Sequence, residues 1–113
     1  IDAMLEIGGT KNNIIASIGP CISQINYEVD VNFKKQVTKN YSICEKLFVL
    51  KPNGKYLFDL PAYIEVRLKN YGVKASSSIG ICTYDKQNNF HSFRRAQHIG
   101  VASHERNISI IRL

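Results

Sequence analysis

The stretch Ile14-Ile15-Ala16-Ser17-Ile18-Gly19-Pro20-Cys21-Ile22-Ser23, running on into Asn26-Tyr27-Glu28-Val29, decides the fold. Its first five residues are apolar or small and lack helical spacing, which predicts a short buried strand over 14–18. Gly19-Pro20 then stops it, because Pro offers no N–H to a ladder and Gly adopts turn angles closed to other residues. Cys21 is thereby left just past the carboxyl end of a buried strand, where α/β folds commonly collect site residues.

Upstream of that strand, Ile1, Met4 and Leu5 recur at helical spacing, and Gly8-Gly9 supplies a left-handed stop. No capping residue precedes Ile1, so the helix is expected to begin earlier. Downstream, Asp30 suits an N-cap, with Val29, Phe33 and Val37 four apart on one face and Lys34, Lys35 and Lys39 read as solvated on the others. Leu47–Leu50 reads as a strand, Lys51-Pro52-Asn53-Gly54 as a turn, and Tyr56-Leu57-Phe58 carries the chain on to Asp59. Asp59 with Pro61 opens a helix that aligns Leu60, Ile64, Leu68 and Tyr71 and stops at Gly72. Ile79–Cys82 reads as a strand. Phe90–Arg95 reads as another, its alternation placing Phe90, Ser92 and Arg94 on one face and His91, Phe93 and Arg95 on the other. Asn107–Leu113 is expected to close the chain as a strand. Interleaved strands and helices imply an α/β class (with α+β the alternative) and a mixed sheet packed with helices.

A chain of 113 residues, 44% hydrophobic and 21% charged, matches one ordinary globular domain spanning 1–113. No apolar run nears the roughly 20 residues of a membrane span and no leader is visible, so no membrane partner is expected. Three cysteines without a C-x-x-C pair imply reduced thiols and a cytoplasmic location. The net charge of +6 is scattered, with Lys34-Lys35 and Arg94-Arg95 the only adjacent basic pairs, which argues against a nucleic-acid surface.

Four residue groups carry candidate chemistry. Cys82, His91, His98 and His104 offer zinc-type donors, yet their spacing fits no compact zinc motif, so no metal site is assigned to this chain. Cys21 is either a thiol at the mouth of a site or a small buried hydrophobe; Cys82 faces the same choice from within an apolar run. Of Arg94 and Arg95, the one pointing inward could hold an oxyanion bidentately, the other reading being a strand-end salt bridge. Tyr27 is placed to stack on a base or to pack with its hydroxyl at the rim.

The order Ile18-Gly19-Pro20-Cys21-Ile22-Ser23, Asn26-Tyr27-Glu28-Val29, Leu57-Phe58-Asp59-Leu60, Tyr71-Gly72-Val73, Cys82-Thr83-Tyr84 and Phe90-His91-Ser92-Phe93-Arg94-Arg95 resembles the second half of the laccase-domain (multicopper polyphenol oxidase, YfiH-type) family. The resemblance implies a single YfiH-like domain, incomplete on its N-terminal side. It implies a zinc-dependent purine nucleoside phosphorylase with adenosine deaminase activity, acting on purine nucleoside and phosphate. The family's zinc (or copper) sits on two histidines and a cysteine in the preceding half, ending in a His-Ala-Gly-Trp-Arg-Gly-like motif. This chain has no tryptophan, so no ligand is carried over and the chain alone is expected to bind no metal and to be inactive. Cys21, Tyr27, Arg94 and Arg95 are the substrate-binding candidates, and no catalytic residue is assignable. A copper-dependent phenol oxidase and a truncated non-catalytic binding domain are the alternatives. The family pattern Phe-Phe-Ser-Tyr-Arg-Arg-Asp is altered here by His91, Phe93 and Ala96, which removes an aromatic, a hydroxyl and an acidic partner for an arginine.

Overall fold

Two small sheets, rather than one, organise the chain. The computed structural model describes residues 1–103 and 105–111. The apolar run at 14–18 forms β1 (Ile15–Ile18), which pairs in parallel with β5 (Ala75–Ser78), Ile15 opposite Ala75 and Ile18 opposite Ser78. Between them the chain builds β2 (Glu28–Val29), β3 (Phe48–Leu50) and β4 (Tyr56–Phe58), an antiparallel sheet in the order β2-β4-β3. The class is therefore α/β with both parallel and antiparallel pairing, but the two kinds of pairing lie in separate sheets.

Helices α1 (Asp2–Glu6), α2 (Val31–Asn40), α3 (Leu60–Tyr71) and α4 (Phe93–His98) complete the structure. Local chemistry explains the bounds of α2 and α3. The Asp30 carboxylate accepts from the Phe33 N–H at 2.7 Å, and that of Asp59 from the Ala62 N–H at 3.0 Å; each satisfies a donor that the first helical turn leaves unpaired. Gly72 ends α3 in the left-handed conformation, at φ 83°, which a side chain would make costly.

The core sits on the antiparallel sheet. Val29, Cys44, Leu47 and Phe58 are buried there, Phe58 only 1% exposed, with Phe33 and Val37 of α2 and Leu60, Ala62, Tyr63 and Val66 of α3 packed around them. Aromatic rings supply much of the filling: Phe58 stacks on Phe48 at 4.6 Å and meets Phe33 edge-on at 5.2 Å. Only Leu60 of the expected α3 stripe joins this core. Ile64, Leu68 and Tyr71 turn instead to a groove shared with Ile1 and Asp2. The parallel pair is covered on one face: Ile14 and Ile18 are buried, whereas Ile15 is 71% exposed.

Four sequence expectations are corrected. Phe90–Arg95 is not a strand; Ser92 caps α4, its hydroxyl accepting from the Arg95 N–H at 3.3 Å. Six residues of alternation were too few to outweigh a capping serine followed by the good helix formers Arg94, Arg95, Ala96 and Gln97. The strand expected at Ile79–Cys82 lies earlier, at Ala75–Ser78. Gly80, at φ 69°, turns the chain out of it, and Cys82 keeps a single bridge, to Cys21. At the end of the chain, 107–111 form no strand, and Arg112 and Leu113 of that expected element lie outside the described residues. Lys34 is also less solvated than expected, its ammonium lying 4.7 Å from the Tyr56 ring centre and 3.6 Å from Glu45.

Candidate functional site

Arg94 stands at the meeting point of two cavities. One, of about 490 Å³, is lined by Tyr27, Glu28, Asp30, Phe33, Lys55, Arg94, Gln97 and His98. The second, of about 320 Å³, has Tyr27 and Arg94 in its wall together with Ile22, Thr83, His91 and Phe93. Capping of α4 by Ser92 puts Arg94 in the first helical turn. From there its guanidinium lies 5.3 Å from the Tyr27 ring centre and Nη1 donates to the Glu28 carbonyl oxygen at 2.6 Å. Arg94 lines both cavities and, among the described residues, makes no other side-chain hydrogen bond, so the rest of its fork remains for an oxyanion contact.

Arg95 is engaged differently. Its Nη1 donates to the carbonyl oxygens of Thr83 at 3.0 Å and Tyr84 at 2.7 Å, and its Nη2 to that of Phe90 at 2.6 Å. It ties the turn after Cys82 to the start of α4. The two guanidinium groups do diverge, as alternation implied, but because they are successive residues of a helix rather than opposite faces of a strand.

Tyr27 packs more than it lines. Phe33 and Phe58 lie 6.1 and 5.8 Å from its ring centre, and Arg94 covers it. Beside it, Glu28 accepts from the ammonium groups of Lys51 and Lys55 and from Asn53. The Lys51 ammonium, then Lys55 and Asn53, hold its carboxyl down to about 2. Lys55 was not singled out from the sequence and His98 was read there only as a zinc-type donor, although both line the larger cavity; His98 Nδ1 is 2.9 Å from the Tyr84 hydroxyl. The only signal for Lys55 was its place just after the Asn53-Gly54 turn, which does not show that the hairpin folds back onto Glu28.

Cys21 belongs elsewhere. With Cys82, Asp59, Ser78 and Gly80 it lines a separate cavity of about 220 Å³. Cys21 and Cys82 are paired residues of a parallel bridge, the Cys21 N–H donating to the Ile81 carbonyl at 3.2 Å and the Thr83 N–H to the Cys21 carbonyl at 3.0 Å. Burial pushes the Cys21 thiol up, helped by the nearby Cys82 and Asp59. Burial also acts upward on Cys82, but donors from Ser23, Asn26 and Tyr84 outweigh it and lower that thiol. The structure thus brings Tyr27 and Arg94 together, leaves Cys21 in another cavity, and gives Arg95 to backbone carbonyls.

The described zinc-type donors do not converge. Cys82 faces the Cys21 cavity, His98 meets Tyr84, and His91 Nδ1 lies 3.4 Å from Glu105; His104 falls outside the described residues. Among the described residues, no three of His, Cys, Asp and Glu come near enough to hold an ion. The described residues therefore do not fit the metal that the resemblance implies. Among the same residues, no helix is long and apolar enough to cross a membrane. Several basic side chains lie over tyrosine rings, Lys11 on Tyr71 and Arg67 on Tyr41 and Tyr63.

The chain is similar to a purine nucleoside phosphorylase of Rickettsia prowazekii, 36% identical over 98% of this chain and 46% of the relative. A purine nucleoside phosphorylase of Rickettsia conorii is 40% identical over 80% of this chain and 38% of its own length. The chain thus spans less than half of the curated relatives it matches. Among solved structures, Neisseria meningitidis protein NMB0706 superposes with a TM-score of 0.75 at 26% identity, over 83% of this chain and 39% of that one. Bacillus licheniformis YfiH, at 24% identity, shares the fold with a TM-score of 0.72, over 85% of this chain and 38% of its own. A family model described as multi-copper polyphenol oxidoreductase laccase matches residues 1–112, and the chain belongs to that laccase-domain family.

Proposed function

We propose that the complete protein is a purine nucleoside phosphorylase, and that this region supplies the cation that holds phosphate. The observation that carries the reading is the position of Arg94 between two cavities, in a chain whose relatives bear that name. In phosphorolysis a phosphate oxygen attacks the anomeric carbon as the glycosidic bond to the base breaks, and positive charge develops on the sugar. A fixed guanidinium beside that carbon holds the phosphate in line and costs no reorganisation as charge moves. Tyr27 and the Glu28 carbonyl preset the Arg94 rotamer, so the fork is already aimed when phosphate arrives. Lys55, paired with Glu28, and His98 line the same cavity as Arg94.

Adenosine deamination is part of the same proposal, with zinc as the family's metal. Its ligands are assigned to the portion of the longer relatives that this chain does not span, and the 113 residues alone are expected to be inactive. Three free thiols suit a reducing compartment, and a cytoplasmic location goes with the reading. The family's description as a multi-copper polyphenol oxidoreductase favours a second reading, copper-dependent oxidation of phenols. Incubating the complete protein with inosine separates the two. Phosphorolysis gives hypoxanthine and ribose 1-phosphate only when phosphate is present. No turnover, or hypoxanthine released equally fast without phosphate, would refute it.

A further inference from the structure

The cavity behind β1 holds two thiols that the phosphorylase reading does not use. Cys21 and Cys82 come from distant parts of the sequence but sit directly opposite each other across a parallel bridge. Neighbouring strands run about 4.8 Å apart, inside the roughly 4.4–6.8 Å Cα separation that a disulfide spans without backbone movement. Both side chains line the same cavity of about 220 Å³, so they lie on one side of the bridge. Cys44, the third thiol, is 0% exposed within the aromatic core and lines neither this cavity nor its neighbours.

The surroundings give the two sulfurs different work. The Ser23 N–H lies 3.3 Å from the Cys82 sulfur and the Asn26 amide nitrogen 3.5 Å from it. Asn26 is itself fixed by the Ser23 hydroxyl and Asp85. Donors aimed at a sulfur stabilise its thiolate, the form that reacts. Burial, with Cys82 and Asp59 in the same cavity wall, keeps the proton on Cys21, which has no comparable set of donors among the described residues.

We propose that Cys21 and Cys82 are a modification site: a hydroperoxide converts them into a reversible intramolecular disulfide, with Cys82 attacked first and Cys21 resolving. The Cys82 thiolate attacks the outer peroxide oxygen, the O–O bond breaks, and the alkoxide leaves and takes a proton from solvent. Sulfur is oxidised to the sulfenic acid and the peroxide is reduced to an alcohol. Cys21 then gives up its proton as its sulfur attacks the Cys82 sulfur. The S–O bond breaks, and the departing hydroxide combines with that proton as water. The bond ties the turn after β1 to the segment after β5, closing a long loop, so oxidised protein unfolds at higher denaturant.

Titration of the folded chain with hydrogen peroxide, followed by alkylation and peptide mass mapping, tests this. The expected result is one linked peptide pair, Cys21 with Cys82, lighter by two hydrogens, with Cys44 still alkylatable after unfolding and the link removed by dithiothreitol. The same titration in urea should scramble the pairing among all three cysteines. In Cys21→Ser, Cys82 should accumulate as a sulfenic acid that dimedone captures. Three unreacted thiols, Cys82 carried on to sulfinic acid with Cys21 free, or links only between chains would each overturn the proposal. The wild-type mapping decides it even if the variant does not fold.

Discussion

Arg94 lies over the Tyr27 ring at 5.3 Å, while Arg95, the next residue, reaches three backbone carbonyls. Two adjacent arginines thus serve different ends, one facing cavities and the other closing a loop. Arg95→Ala strips a partly buried charged donor from three acceptors and should cost about 2–4 kcal/mol, less than three charged hydrogen bonds at about 1.5–3 kcal/mol net each because the freed carbonyls can turn to water. Arg94→Ala removes one cation–π contact and one hydrogen bond from a half-buried guanidinium and should cost less, about 1–2 kcal/mol. Urea unfolding of the two variants side by side checks the order.

Glu28 links the β3–β4 hairpin to β2 through Lys51 and Lys55, which with Asn53 hold its carboxyl at about 2, against an ordinary 4.5. A lowered carboxylate stabilises the fold above its unfolded pKa and loses that contribution as pH falls through the folded one. Stability should therefore decline from about pH 4.5 toward pH 2, less steeply at high salt because the cluster is partly exposed. Glu28→Gln should remove this part of the decline. An identical pH profile for the variant would show that the cluster contributes nothing.

Phe58 is the hinge of the aromatic core, touching Tyr27, Phe33, Phe48 and Tyr63. Phe58→Ala should cost about 3–5 kcal/mol, as buried aromatic truncations do. Phe58→Leu keeps most of the volume and should cost less. Denaturant midpoints for the pair measure the difference.

Asp59 caps α3 through the Ala62 N–H. Replacing it with Ala should cost about 1 kcal/mol, whereas Asn, which caps comparably, should nearly restore stability. Thermal melts of the two variants test this.

The helices α2 and α3 and the β3–β4 hairpin were legible because their signals are local: Asp30, Asp59, Gly72 and the Asn53-Gly54 turn each act within a few residues. The end of the chain was not. Ser92 caps a helix through a hydrogen bond that competes with the apparent Phe90–Arg95 alternation, and Gly80 moves β5 upstream of the more apolar Ile79–Cys82. Sequence singled out Tyr27, Arg94, Arg95 and Cys21 but could not sort them among cavities, since that depends on where distant segments meet. Lys55 reaches Glu28, and Cys82 faces Cys21, only through pairing of segments far apart in the chain.

The most direct measurement is the phosphate KM of the complete protein with inosine as co-substrate, for wild type and Arg94→Ala. Loss of a charge-assisted contact of about 1.5–3 kcal/mol should raise it about 10- to 100-fold and leave the inosine KM little changed. A wild-type phosphate KM in Arg94→Ala would contradict the assignment of Arg94 as the phosphate-holding cation.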